Sequence, residues 1–158
     1  MSDHYLYFVP ADPGFAPSFE ARAAALAYLD QSCGPCEAQH HLEDDVAFWH
    51  GGEHFCPPSC PHCDTELSLE DWHQHMDQAY SADDELTGIT RLFTLPCCNR
   101  QASLVSLNNH EVMAFGRYAL QCRQTQTLVD QVQASDRYFL NTLSHLLGTP
   151  LVLVWQWS

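Results

Sequence analysis

Three segments of the chain repeat apolar residues at helical spacing, and each follows a serine that can act as an N-cap. Ser18 is followed by apolar positions 19, 23, 26 and 27, which share one face of a helix expected to end near Gly34. Ser68 opens a second helix, and Ser135 opens a third that Gly148 terminates. The pattern therefore predicts three amphipathic helices.

Short runs of β-branched and aromatic residues between these helices predict strands. They cover residues 5–9, 46–49, 114–122 and 151–157, and a hairpin with arms 89–95 and 102–107 turns at residues 96–100. The order along the chain is strand, helix, strand, then a cysteine-rich insert, then strand, helix, strand. This order is typical of an α+β fold, and we expect a ferredoxin-like split-βαβ sheet with its helices on one side and an inserted zinc-ribbon module.

The expected organisation is one compact unit with an insert. Residues 1–52 form the first βαβ half, residues 53–112 the zinc-ribbon insert and residues 113–158 the second half. Because the first and last strands are apolar on both sides, the sheet face away from the helices also needs a cover. We expect the insert or a second protein chain to cover that face, whose residues should include Tyr5, Tyr7, Val152 and Val154.

Charge is distributed unevenly along the 158 residues. Residues 1–90 hold seventeen acidic residues and only Arg22 as a base, a net charge of −16, whereas residues 91–158 carry +2. Such an acidic surface repels nucleic acid and anionic membranes, so any partner steered by charge should be basic. The N-terminus lacks a signal-peptide pattern and no apolar run approaches the ~20 residues of a membrane span. We therefore expect a cytoplasmic protein, in which the eight cysteines serve metal binding or redox chemistry rather than disulfides.

A metal site is the chemistry that the cysteine spacing indicates most directly. Cys60 and Cys63 form a C-x₂-C knuckle, in which two thiolates reach one ion, and a second pair must complete a tetrahedral site. Cys97 and Cys98, about 34 residues further on at the predicted hairpin tip, supply that pair. Because the second pair is adjacent rather than C-x₂-C, Cys56 remains an alternative to Cys97 or Cys98. Four thiolates leave no open position, so the expected zinc is structural.

The cysteine-rich segment also resembles a group of small bacterial proteins that carry an embedded zinc ribbon and have no established activity. The resemblance rests on the motif Cys60-Pro-His-Cys63, the segment Asp71-Trp72 with Met76-Asp77-Gln78-Ala79-Tyr80, and the motif Leu95-Pro96-Cys97-Cys98-Asn99. It covers about 50 residues of the insert, with a weaker similarity in the helix–strand ending. The resemblance implies zinc at Cys60, Cys63, Cys97 and Cys98, and it implies no catalytic residue.

A rival motif lies earlier in the chain. Cys33-Gly34-Pro35-Cys36 matches the active-site tetrapeptide of thioredoxin, which would make Cys33 the nucleophile and Cys36 the resolving thiol of a thiol-disulfide oxidoreductase. The motif follows a helical pattern, however, whereas a thioredoxin-like motif begins a helix. Cys33 and Cys36 can also flank a helix-ending turn or belong to a second or shared zinc site.

Histidines supply a third alternative, a hydrolytic metalloenzyme with an open zinc. Five of the ten histidines cluster in sequence near the knuckle, namely His50, His54, His62, His73 and His75. No His-Glu-x-x-His motif is present, so we expect surface histidines rather than ligands. The favoured hypothesis is an acidic, zinc-stabilised protein-interaction protein without catalysis, whose partner is a basic protein or a second copy.

Overall fold

The structure is a computed structural model that describes residues 3–53, 55–81 and 84–157. It is a mixed α+β fold built on an antiparallel sheet of four strands, with a two-stranded hairpin apart from it. The strands are β1 Tyr5–Pro10, β2 Gln39–His50, β3 Phe93–Thr94, β4 Gln101–Ala102, β5 Met113–Arg123 and β6 Leu151–Gln156. The helices are α1 Phe19–Cys33, α2 Leu69–Tyr80, α3 Glu85–Thr90, α4 Gln126–Gln133 and α5 Tyr138–Leu147.

The strands of the main sheet follow the order β2-β5-β1-β6, and each neighbouring pair is antiparallel. β1 lies inside the sheet, where Phe8 is opposite Leu120 of β5 on one side and Leu153 of β6 on the other. The sheet thus pairs the first strand with the last. The long segment between β2 and β5 lies outside the sheet and forms the insert.

Helix α1 begins and ends as its capping residues predict. Ser18 Oγ accepts a hydrogen bond from the Ala21 N–H at 3.1 Å, which satisfies one of the free donors of the first turn. Gly34 ends the helix with φ at +69°, a conformation that costs glycine little. The apolar face predicted at positions 19, 23, 26 and 27 is wrong, since Phe19 is 72% exposed and positions 23 and 27 are also exposed. The buried side of the helix carries Ala25 and Leu29.

One face of the sheet packs against three helices. Alternation along β1 sends Leu6 and Phe8 to this face, and α1, α4 and α5 cover it. α4, whose Thr125 N-cap accepts a hydrogen bond from the Leu128 N–H, is absent from the sequence prediction. The buried residues of this helix-side cluster include Leu6, Phe8, Leu29, Tyr118, Leu120, Leu128, Phe139, Leu143 and Leu153.

The opposite face carries a smaller apolar cluster made of strand residues. Tyr7 and Val9 of β1 pack there with Ala119 and Val154, as the alternation predicts. Trp49 of β2 contacts the Tyr7 ring, with the two ring centres 5.6 Å apart. Within the described residues, this cluster is made of strand residues and contains none of residues 53–112. Leu104 and Leu107 of the insert line a cavity together with Ala114 of this cluster, so the insert borders the face, and the expectation that it covers the face stays a prediction.

The two edge strands of the sheet meet at their carboxyl ends. The Trp157 N–H donates to the Gly51 carbonyl, and the Glu53 N–H donates to the Trp157 carbonyl, both at 3.2 Å. A Cβ atom on Gly52 would lie 2.6 Å from the Trp157 carbonyl oxygen, and Gly52 has φ at +67°. Glycine is therefore required where the backbone of β2 meets the backbone that follows β6.

Two sequence predictions are wrong about the strands bordering the insert. β2 begins at Gln39 rather than Val46, since its first half carries polar residues that an edge strand exposes to solvent. The predicted strand 89–95 is instead the end of α3 followed by the two residues of β3. Asp84 caps this helix by accepting a hydrogen bond from the Leu86 N–H, and Gly88 lies so close to the Ala79 backbone of α2 that a Cβ atom would not fit there.

Helix α5 also begins later than its sequence pattern predicts. Its N-cap is Arg137, with φ at +56°, rather than Ser135. Gly148 ends it in the left-handed conformation, with φ at +85°, as predicted. The arm predicted at 102–107 is likewise shorter, because β4 is followed by a 3₁₀ turn at Leu104–Ser106.

Candidate metal centre

A tight turn presents the second cysteine pair. β3 and β4 pair with Phe93 opposite Ala102, and the Leu95 N–H donates to the Arg100 carbonyl at 2.8 Å, so the chain reverses over the residues between them. Asn99, with φ at +61°, donates its N–H to the Leu95 carbonyl. Cys97 and Cys98 therefore lie at the tip of the hairpin, as the sequence predicts.

The first cysteine pair lies on a turn that folds back on Cys60. The Cys60 N–H donates to the Thr65 carbonyl and the Asp64 N–H donates to the Cys60 carbonyl, both at 2.9 Å. The N–H groups of His62 and Cys63 point at Cys60 Sγ, at 3.3 and 3.4 Å. These contacts with its own turn fix the position of the Cys60 sulfur.

The structure brings the four sequence-predicted cysteines together. The Sγ atoms of Cys60, Cys63, Cys97 and Cys98 all lie within 4.8 Å of one another. The separations across the two turns are 3.4 Å from Cys63 to Cys97 and 3.7 Å from Cys60 to Cys98. Four sulfurs at this spacing can hold a metal ion. They come from two turns 34 residues apart in sequence, which an ion would tie together.

The four sulfurs differ in exposure. Cys60 is fully buried within the apolar cluster of the insert, and Cys98 is half-buried against it. Cys63 and Cys97 are exposed. The cluster behind Cys60 includes Leu67, Trp72, Ile89, Leu95, Leu104, Met113 and Phe115, so it also reaches β5 of the main sheet. The sulfur group therefore lies at the surface of the insert with one side against its core.

The pKa values of the two exposed thiols in the group are shifted in opposite directions. Hydrogen bonds with the Thr65 side chain and backbone, and then with Cys97, lower the pKa of the Cys63 thiol to about 6. Desolvation, followed by hydrogen bonds with Cys63 and Cys60, raises the pKa of Cys97 to about 12. Neighbouring thiols resist losing all their protons because the resulting thiolates repel each other. A cation among them removes that obstacle, which is the chemistry expected of a metal centre.

Polar side chains hold the first turn against the segment that leads into β5. Ser59 Oγ donates to Asp64 Oδ1 at 2.7 Å, and Asn108 Nδ2 donates to the same oxygen at 3.2 Å and to the Cys60 carbonyl at 3.3 Å. These two bonds to the carboxylate lower the pKa of Asp64, the one from Ser59 most. Sequence reasoning missed Ser59 and Asn108, because no spacing rule links residues so far apart.

The structure does not bring the other sequence candidates to the sulfurs. Cys56, the proposed substitute ligand, is half-buried and is not a member of the described group of four. His62 Nε2 lies 3.0 Å from the Gln101 carbonyl, and the His75 ring stacks on Phe93. His50 accepts a hydrogen bond from the Gly52 N–H, and His54 lies outside the described residues.

Cys33 and Cys36 lie on the helix side of the sheet, away from the four sulfurs. Cys33 is the last residue of α1, and burial raises the pKa of its thiol to about 11. A hydrogen bond with Cys122 is the main cause that lowers the pKa of Cys36. A thioredoxin-like nucleophile is instead activated at a helix N-terminus, whereas the helix C-terminus favours the neutral thiol. An oxidoreductase role for Cys33 and Cys36 remains a prediction.

Comparison with known proteins leaves the site to be argued from its own geometry. No protein-family model, no curated protein and no solved structure matches this chain. Among the described residues, no helix has both the length and the apolar character needed to cross a membrane. The four-sulfur group therefore carries the functional argument.

Proposed function

We propose that Cys60, Cys63, Cys97 and Cys98 hold one structural zinc ion and that the protein is a zinc-stabilised interaction protein without catalytic activity. The observation that carries the proposal is the convergence of four sulfurs within 4.8 Å. In a tetrahedral site with zinc–sulfur bonds of about 2.3 Å, neighbouring sulfurs are about 3.8 Å apart. The separations of 3.4 and 3.7 Å described above lie near that value.

Zinc is the ion that suits these ligands. Soft thiolates select zinc, copper(I) or iron–sulfur clusters, and two cysteine pairs on separate turns are the usual frame of a structural zinc site. Four protein ligands leave no position for water or substrate, so the ion would supply stability rather than catalysis. Binding of structural zinc contributes on the order of 10 kcal/mol to the folding of small modules.

The finer description of the fold is part of the proposal. The sheet order β2-β5-β1-β6, with α1 between β1 and β2 and α5 between β5 and β6, supports a ferredoxin-like fold. The hairpin and α2 support a zinc-ribbon module at residues 53–112, between halves at 1–52 and 113–158. The resemblance to small bacterial proteins with an embedded zinc ribbon agrees with this arrangement.

Elemental analysis and X-ray absorption test the zinc proposal directly. Protein purified under reducing conditions is expected to contain about one zinc per chain, with four sulfur ligands at about 2.3 Å. A nitrogen or oxygen in the first coordination shell would instead favour a histidine-ligated, hydrolytic site. Folded protein that holds no metal would refute the proposal.

Charge supports a basic protein as the partner. The net charge of −16 on residues 1–90 repels nucleic acid and anionic lipid and attracts cations. All eight cysteines are free, which suits the reducing cytoplasm and is required of the four that would bind zinc. We therefore propose a cytoplasmic protein that binds a basic protein, with self-association as the alternative.

Affinity capture at two ionic strengths tests the charge argument. Immobilised, zinc-loaded protein should retain a basic protein from a lysate of its source organism at about 0.05 M salt and lose most of it at about 0.5 M, because salt screens surface charges. Retained proteins identified by mass spectrometry should have high isoelectric points. Binding that is insensitive to salt, or retention of the chain's own copies alone, would contradict the basic-partner proposal.

A further inference from the structure

Two of the four sulfurs form an exposed pair that spans the two turns of the site. Cys63 comes from the first turn and Cys97 from the hairpin tip, and both are exposed. Their Sγ atoms are 3.4 Å apart, closer than the 3.7 Å between Cys60 and Cys98. The other pair differs, since Cys60 is fully buried and Cys98 is half-buried.

An open cleft leads from solvent to Cys97. It has a volume of about 300 Å³, and its walls include Thr65, Leu67, Asp71 and Pro96. Apolar and acidic side chains line it together, so it admits small neutral molecules more readily than anions. A peroxide has that character, and Cys97, which lines the cleft, is itself exposed.

We propose that Cys63 and Cys97 are a peroxide-sensitive modification site, at which formation of a disulfide releases the metal ion. The inference rests on the proposed function, because it requires a metal held by these thiolates. Oxidation of cysteine follows thiolate character and exposure, and a metal-bound, exposed cysteine has both. Cys60 would also be bound to the metal, but it is buried and therefore protected from the oxidant.

The oxidant is a hydroperoxide, and the electrons balance in two steps. In the loaded state the ion would hold Cys97 as a thiolate. That sulfur attacks one peroxide oxygen, the O–O bond breaks, and the second oxygen leaves as hydroxide or alkoxide and takes a proton from solvent. The sulfenic acid of Cys97 is then attacked by the Cys63 thiolate, the S–O bond breaks, and the departing hydroxide is protonated to water. Two thiolates lose two electrons, the peroxide gains them, and the ion keeps only the ligands Cys60 and Cys98.

The position of Cys63 and Cys97 determines what their oxidation does to the fold of the insert. Because the disulfide joins the same two turns that the ion joins, it preserves the connection after the ion has left. The sulfurs need to approach by little more than 1 Å to reach a disulfide bond length of about 2.05 Å. Oxidation should therefore unload the metal while the insert stays folded, and a reductant with zinc should restore the loaded state.

The test is a titration of zinc-loaded protein with hydrogen peroxide. Released zinc is measured with a chromogenic chelator, and disulfides are mapped by mass spectrometry. We expect about one zinc released for each disulfide formed, a bond between Cys63 and Cys97, and reversal by dithiothreitol plus zinc. Cys56→Ser, which leaves all four ligands in place, should behave as the parent chain does.

A second variant isolates the oxidisable pair. Cys97→His converts the site to three sulfurs and one nitrogen, a common zinc ligand set, and should release zinc about tenfold more slowly under peroxide because the exposed pair is gone. Loaded parent protein that keeps its zinc under peroxide, or forms its disulfide elsewhere, would overturn this inference and leave the zinc proposal standing. Parent protein that never holds zinc would overturn both.

Discussion

Cys60→Ser is expected to abolish zinc binding and to unfold the insert while the main sheet stays folded. Cys60 is fully buried and its sulfur accepts two backbone N–H groups, so serine removes the most deeply held of the four sulfurs. The loss approaches the zinc contribution, on the order of 10 kcal/mol. Zinc content and the near-ultraviolet circular dichroism of Trp72, which packs against Phe48 and Phe55, report the outcome.

Cys56→Ser is the matched control for that variant. Cys56 precedes Cys60 on the same loop and is half-buried, but it is not a member of the described sulfur group. The control should keep full zinc content and an unchanged aromatic spectrum. The metal-centre proposal fails if both serine variants retain zinc equally, or if Cys56→Ser alone loses it.

Phe139→Ala is expected to lower the free energy of unfolding by about 3–5 kcal/mol, the usual cost of deleting a buried aromatic ring. Phe139 is 1% exposed in the helix-side cluster, where it stacks on Tyr28 with ring centres 5.6 Å apart and meets the edge of Phe8 at 6.4 Å. Urea unfolding at constant zinc concentration measures the change.

Tyr138→Ala provides the comparison, because Tyr138 precedes Phe139 on the same helix and is 68% exposed. It should change stability by no more than about 0.5 kcal/mol. Zinc content should stay unchanged in both variants, since Phe139 belongs to the helix-side cluster and the cysteines to the cluster of the insert. Equal destabilisation by the two substitutions would contradict the packing described for α5.

The parts of the fold that sequence predicts best are those fixed by local chemistry. The Ser18 and Ser68 caps specify where α1 and α2 begin, because capping acts within a few residues, and α2 buries Trp72 and Ala79 on one side. The apolar face predicted for α1 is wrong, because packing against the sheet buries Ala25 and Leu29 instead. The pairing of Cys60 and Cys63 with Cys97 and Cys98 is predictable for a similar reason. Ligand spacing within each turn is local, and an ion requires that the two turns meet.

The parts that sequence misses depend on long-range contacts. Strand propensity at 89–95 gives way to the end of α3, which packs closely on the α2 backbone at Gly88, a contact that exists only in the folded insert. The polar first half of β2 pairs with β5 despite its sequence. The bond from Asn108 to Asp64 likewise joins residues 44 positions apart, beyond any repeat that a single sequence can reveal.

The meeting of the edge strands at Gly51 and Trp157 has a consequence for the behaviour of the protein at high concentration. Backbone groups that pair within one chain cannot template a strand from another, which is the first step of amyloid-like assembly. Elsewhere on the β2 edge, Glu43, Asp44 and Asp45 are exposed, so two copies approaching through that edge repel each other. We therefore expect the β2 edge to resist fibrous polymerisation, because hydrogen bonds occupy its backbone at Gly51 and negative charge surrounds it at residues 43–45.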